Sequence, residues 1–131
     1  MGLDFSHTTA QWSYSGFSRF RDALATHEGI DLDQMEGFRR RGDDRPRIPW
    51  TGITGPLVPL LNHSDCDGEL SPEECRQIAP RLRAVVNELW PAETHSDFDA
   101  DPNGYHNRSS GLALADGMDT AAAAGEPLRF E

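Results

Sequence analysis

The chain is short of basic residues, of cysteine and of long apolar stretches, and each shortage removes a class of function. Only 12 of its 131 residues are Lys or Arg, against 22 Asp or Glu, for a formal net charge of −10. Nucleic acid and anionic membrane both demand a basic face, so neither is expected as a partner. The same balance suits a divalent cation or a protein partner. No apolar run approaches the roughly 20 residues of a membrane span. The opening MGLDFSHTTAQW lacks the basic-then-apolar layout of a signal peptide, which predicts a cytoplasmic location. Two cysteines, Cys66 and Cys75, make no disulfide framework and are expected as free thiols or metal ligands.

Catalytic signatures are missing too. There is no Gly-rich phosphate loop, no Gly-x-Ser-x-Gly elbow and no His-Glu-x-x-His zinc motif. Five histidines, at 7, 27, 63, 95 and 106, are too dispersed to define a triad. Binding is therefore expected rather than reaction.

What is present suits one domain over 1–131, a common domain length. A chain this long buries about two-thirds of its unfolded surface, enough for a core without staples. Leu3 and Phe5 alternate with polar neighbours, a short strand signal. Phe17, Phe20 and Leu24 recur at helical spacing after the cap candidates Ser13 to Gly16, and Glu28-Gly29 closes that helix. Residues 30–37 are expected to form a further short helix around Leu32, Met35 and Phe38. The segment 39–49, RRRGDDRPRIP, reads as a charged loop, and its arginines are interleaved with Asp43 and Asp44. Leu57 to Leu61, interrupted by Pro59, allows a helix of one or two turns.

The clearest helix follows Ser71-Pro72-Glu73-Glu74, a capping box with Pro at the first helical position. Ile78, Leu82, Val85, Val86 and Leu89 hold one apolar stripe, with Pro80 predicted to kink or split it. Residues 91–110, rich in Asp, Asn and Ser, are expected as loop. Leu112, Ala115, Met118 and Ala122 mark a last helix closed by Gly125, and the tail around Leu128 and Phe130 is expected to pair with the Leu3–Phe5 strand.

The chemistry concentrates in His63-Ser-Asp65-Cys66-Asp67-Gly68-Glu69-Leu70-Ser71, running on to Glu74. A twelve-residue calcium loop takes ligands from its positions 1, 3, 5, 7 through a carbonyl, 9 and 12, with Gly at 6. With Gly68 at position 6, Asp65, Asp67, Glu69, Ser71 and Glu74 fall on positions 3, 5, 7, 9 and 12. This stretch resembles an EF-hand over its loop and following helix, and Leu70 occupies the aliphatic position 8 that in that family pairs with a second hand. The resemblance implies calcium held by Asp65, Asp67, the Glu69 carbonyl and Glu74. Position 1 departs from the pattern, because His63 offers nitrogen to a cation that prefers oxygen. A second, weaker match begins at Asp99-Ala-Asp101-Pro-Asn103-Gly104 but ends on Ser110 rather than Glu.

Softer ligands give a rival reading. His63, Cys66 and an Asp, joined by Cys75 and by His7 or His95, are the donor types zinc takes. A hydrolytic metal held by His7, His63 and Asp65 belongs to the same class. A third reading needs no ion, since Asp67-Gly68 makes a turn by itself and Glu74 caps the helix. The protein would then be an acidic protein-interaction factor. Across the chain, MGLDFSH, SGFSRFR, HSDCDGE and GEPLRFE look like a group of small bacterial and phage-borne proteins, which implies a small bacterial domain and no particular mechanism. The expected fold is α+β and mainly helical, with a short terminal strand pair and an EF-hand-like helix-loop-helix.

Overall fold

The computed structural model describes residues 2–32, 35, 48–62, 68–92 and 102–130. It is mainly helical, with two short antiparallel strand pairs among the described residues, as expected for an α+β chain.

Strand β1 (Gly2–Asp4) returns as β2 (Gln11–Ser13), with Leu3 opposite Trp12. Alternation puts Leu3, Phe5 and Trp12 inside while Asp4, Gln11 and Ser13 stay exposed. The turn between them carries His7 at φ 67°, a left-handed conformation uncommon outside glycine. Thr8 anchors this turn by donating from Oγ1 to the Ala113 carbonyl at 2.7 Å.

Helix α1 (Tyr14–His27) starts where Ser13 Oγ accepts the Gly16 N–H at 3.0 Å. Gly29, at φ 78°, ends it: Gly29 N–H reaches Thr26 and Ile30 N–H reaches Ala25, two bonds that satisfy carbonyls of the last turn. A 3-10 turn (Trp50–Gly52) and the four-residue α2 (Val58–Leu61) come next. The short helix is what Pro59 near its start permits.

Strand β3 (Glu69–Leu70) leads into α3 (Pro72–Leu89). That helix is continuous through Pro80, contrary to a split. Pro80 removes one N–H bond, but Pro80 and Arg76 are both exposed, so water can serve the released carbonyl. Helix α4 (Pro102–Ala124) then packs along α3 and is capped by Gly125, which repeats the closing pattern of α1 at φ 69°. Its early start corrects the loop expected over 91–110: residues 102–110 are helical. It also removes the second ion loop, because Asn103, Gly104 and Ser110 lie within α4. Residues 93–101 lie outside the described residues, as do 36–47, which hold most of the expected 39–49 loop and the arginine cluster.

The tail forms β4 (Leu128–Arg129), whose strand partner is β3, with Leu70 opposite Leu128. The expected link to the amino terminus is narrower: one bridge between Phe5 and Phe130, the Ser6 N–H on the Arg129 carbonyl at 2.9 Å, and the Arg129 N–H on Ser6 Oγ at 2.8 Å. β4 therefore lies between the first hairpin and β3. Behind it Phe5, Trp12, Phe17, Phe20 and Phe130 make an aromatic cluster, with Phe5 and Phe130 edge to face at 4.9 Å. Each fully buried large side chain there contributes roughly 1.5–3 kcal/mol.

Candidate functional site: the turn into helix α3

α2 ends at Leu61 with Asn62 as its C-cap, and the described chain resumes at Gly68, at the threshold of β3. Gly68 sits at φ 98°, where a side chain would be strained, so glycine is required at the turn. Its carbonyl accepts the Phe130 N–H at 2.9 Å. This makes Gly68–Phe130 a hydrogen-bonded pair of the antiparallel ladder. Alternation then makes Glu69–Arg129 a non-hydrogen-bonded pair and Leu70–Leu128 a bonded one. Arg129 obeys this, since its N–H and C=O go to Ser6 on the opposite side. By the same alternation, the backbone N–H and C=O of Glu69 point away from β4.

One residue on, the side chains take over. Leu70 is buried against Leu128, while Glu69 is exposed and its carboxylate lies 3.7 Å from Arg129 Nε. Such an exposed pair is worth at most about 1 kcal/mol. Ser71 Oγ accepts the Glu74 N–H at 3.1 Å, and Glu74 Oε1 accepts the Ser71 N–H at 2.9 Å. The capping box read from the sequence is complete. It bends the Glu74 carboxylate back over the amino end of α3, where Glu73 and Glu74 both complement the helix dipole.

Three of the six expected ligand residues, Glu69, Ser71 and Glu74, are thus described and adjoin one turn. His63, Asp65 and Asp67 lie outside the described residues, as does Cys66. Among the described residues no three His, Cys, Asp or Glu side chains form a metal-holding group.

The zinc candidates that are described are engaged elsewhere. Cys75 is buried, its Sγ donating toward the Leu70 carbonyl at 3.8 Å, and burial pushes its thiol pKa up, away from the thiolate zinc needs. His7 bonds to Ser6 Oγ at 2.8 Å and to Glu126 at 3.2 Å, at the hairpin turn. His95 lies outside the described residues.

Other polar groupings had no sequence signal, because their members are far apart in the chain. Glu28 makes two bonds to Arg81, at 2.7 and 2.8 Å, and Arg83 bridges Asp116 and Asp119 between α3 and α4. The Arg81 guanidinium, by hydrogen bond and charge, holds the Glu28 carboxyl below its ordinary value despite burial. His106, on α4, donates from Nε2 to the Gln11 carbonyl at 2.8 Å and meets the Trp12 ring edge to face.

No described helix is long and apolar enough to cross a membrane. No protein-family model, curated protein or solved structure matches the chain.

Proposed function

We propose that the protein binds a divalent metal ion, of calcium type, at an EF-hand-like loop running from His63 to Glu74. The observation that carries this reading is the register of β3 on β4. In a calcium loop the carbonyl at position 7 faces the ion, and in hands of the family the backbone at position 8 pairs with a neighbouring strand. Here Glu69 at position 7 has its carbonyl turned away from the ladder, while Leu70 at position 8 is paired and buried. Gly68 with positive φ at position 6 and Ser71 as N-cap at position 9 support the same frame.

Asp65, Asp67, the Glu69 carbonyl and Glu74 are the proposed ligands, with Ser71 acting through water and His63 as the weak first position. Loss of a carboxylate at position 1 puts the affinity at the weak end for such loops, about 10⁻⁴ to 10⁻³ M. The ion's work is to fix the turn between α2 and α3, as a structural or regulatory element.

Thermal unfolding of chelator-stripped protein, with calcium, magnesium or zinc added back in turn, tests this. At calcium a hundredfold above its dissociation constant the gain is about 2.7 kcal/mol, roughly 10 °C for a domain of this size. Asp65→Asn and Glu74→Gln should remove most of that gain. A response to zinc alone would overturn the ligand set in favour of His63 and Cys66. No response to any metal would overturn metal binding and leave an acidic interaction protein.

A further inference from the structure

We infer a second, independent binding site: a cleft between the first hairpin and α4 that takes a small oxyanion, the carboxylate or phosphate of a free small molecule. The cleft encloses about 320 Å³ and is lined by Trp12, Ser13, Gly16, Arg19, His106 and Asn107. That is near the lower limit for small-molecule sites.

Its chemistry is one-sided. On a chain of net charge −10, none of the described lining residues is acidic, whereas three other clefts each carry Glu28, Asp22 or Asp31. Arg19 forms no ion pair or hydrogen bond with any described residue. By contrast Arg76, Arg81, Arg83 and Arg129 each face a carboxylate, and Arg108 holds Asn87 and the Trp90 carbonyl. Its five N–H donors are therefore uncommitted at the cleft wall, in the fork geometry that matches carboxylate and phosphate.

The neighbouring groups add donors. Asn107 Oδ1 already accepts the Trp12 Nε1–H at 3.2 Å, so what Asn107 has left to offer is its Nδ2 donor. The Ser13 hydroxyl oxygen accepts from Gly16 and shares a long 3.5 Å contact with Ser15 Oγ, so its O–H can turn from Ser15 to a guest. The amino end of α1 is closed by that same bond and is not needed as an anion site. Trp12 and His106, held edge to face at 6.0 Å, form the rigid floor. A set of donors around an arginine that no described residue engages, with no carboxylate among the described lining residues, selects an anion.

The hydrogen-bonded Trp12 indole N–H reports directly on the cleft. Its two-dimensional ¹H–¹⁵N resonance is followed while inorganic phosphate or acetate is titrated at constant ionic strength held with chloride, without added metal. A saturable shift is expected that disappears in Arg19→Gln and persists in Arg129→Gln, an exposed arginine elsewhere. The anion giving the tighter midpoint distinguishes a phosphate from a carboxylate ligand. Absence of a saturable shift, or an equal shift in Arg19→Gln, would overturn the site. Glu74→Gln should leave the titration unchanged, so failure here and failure of the metal loop are separable.

Discussion

Gly111 on α4 offers a sharp test of how closely the helices approach. A Cβ at this position would lie 2.8 Å from Val86 Cγ2 and 3.2 Å from Phe20 Cε1 and Cζ. Carbon atoms prefer about 3.5–4.0 Å, so the overlap with Val86 is roughly 0.7 Å. Both neighbours are fully buried and have no solvent to swing into. Two effects of Gly111→Ala oppose one another. Helix propensity favours Ala by about 1 kcal/mol, while overpacking a closed core costs about 1–3 kcal/mol. Overpacking wins, for a net loss of about 1 kcal/mol, or roughly 3–5 °C in Tm. Val86→Ala alone should cost about 2 kcal/mol for the two missing methyl groups and the space they leave. In the Gly111→Ala background that cost should fall by about 1 kcal/mol or more, because the new methyl occupies the vacated volume. Urea unfolding of the four proteins in the cycle measures the coupling. A more stable Gly111→Ala, or an additive cycle, would refute the close approach of α4 to α3.

Three further outcomes are expected. The Glu28 carboxyl is held below its ordinary value of 4.5, so its bond to Arg81 contributes fully above that pH and is lost as pH falls through the depressed value; Arg81→Gln should flatten the acid limb of a urea-midpoint profile, and an unchanged limb would exclude this pair as its source. Ser71→Ala should cost about 1 kcal/mol as a lost N-cap, whereas Glu74→Gln keeps an acceptor for the Ser71 N–H and should cost far less in the absence of metal, both read by thermal unfolding. Ser6→Ala takes the acceptor from the Arg129 N–H, which should lower stability by about 1 kcal/mol and raise the calcium midpoint; Gly111→Ala, of similar cost but acting at the α3–α4 contact, should not move that midpoint, and equal shifts would show no special link through β4.

Local signals explain which parts of the fold could be read in advance. Ser13, Ser71, Gly29 and Gly125 act through bonds within a few residues of themselves, so their roles at helix ends are written in the chain. The apolar stripe from Ile78 to Val86 likewise needs only its own period. The first turns of α4 were hidden because Pro102, Gly104, Asn107 and Ser110 are poor helix-interior residues read alone. Their reasons are tertiary. Asn107 takes the Trp12 indole, His106 and Ser110 take the Gln11 carbonyl, and Arg108 takes the Trp90 carbonyl, while Gly104 is buried. Pro102 at the helix start loses no internal bond. The choice of β3 over β1 as the tail's strand partner was equally invisible, since alternation in 127–130 specifies a face and not a neighbour. At the candidate loop, the sequence supplied the glycine, the cap and the ligand spacing; the ladder register came only from the fold.

That register bears on how the proposed EF-hand-like loop would be held. A two-residue strand such as β3 has too few bonds to persist alone, which is why a partner strand matters. In this chain the partner is the carboxyl-terminal segment, bonded to β3 through Phe130 and Leu128 and to the first hairpin through Arg129 and Ser6. Leu128 and Phe130 are both buried, so the core fixes β4 before any ion is considered. The conformation of Glu69 and Leu70 is thereby set by contacts outside the loop itself, while the Ser71–Glu74 capping box sets the start of α3. An ion arriving at the proposed site would have little of that half of the loop left to order. Because β4 is shared between β3 and the first hairpin, an adjustment at Gly68 to Leu70 is passed to Ser6 through Leu128 to Phe130, by the Ser6 N–H on the Arg129 carbonyl and the Arg129 N–H on the Ser6 hydroxyl.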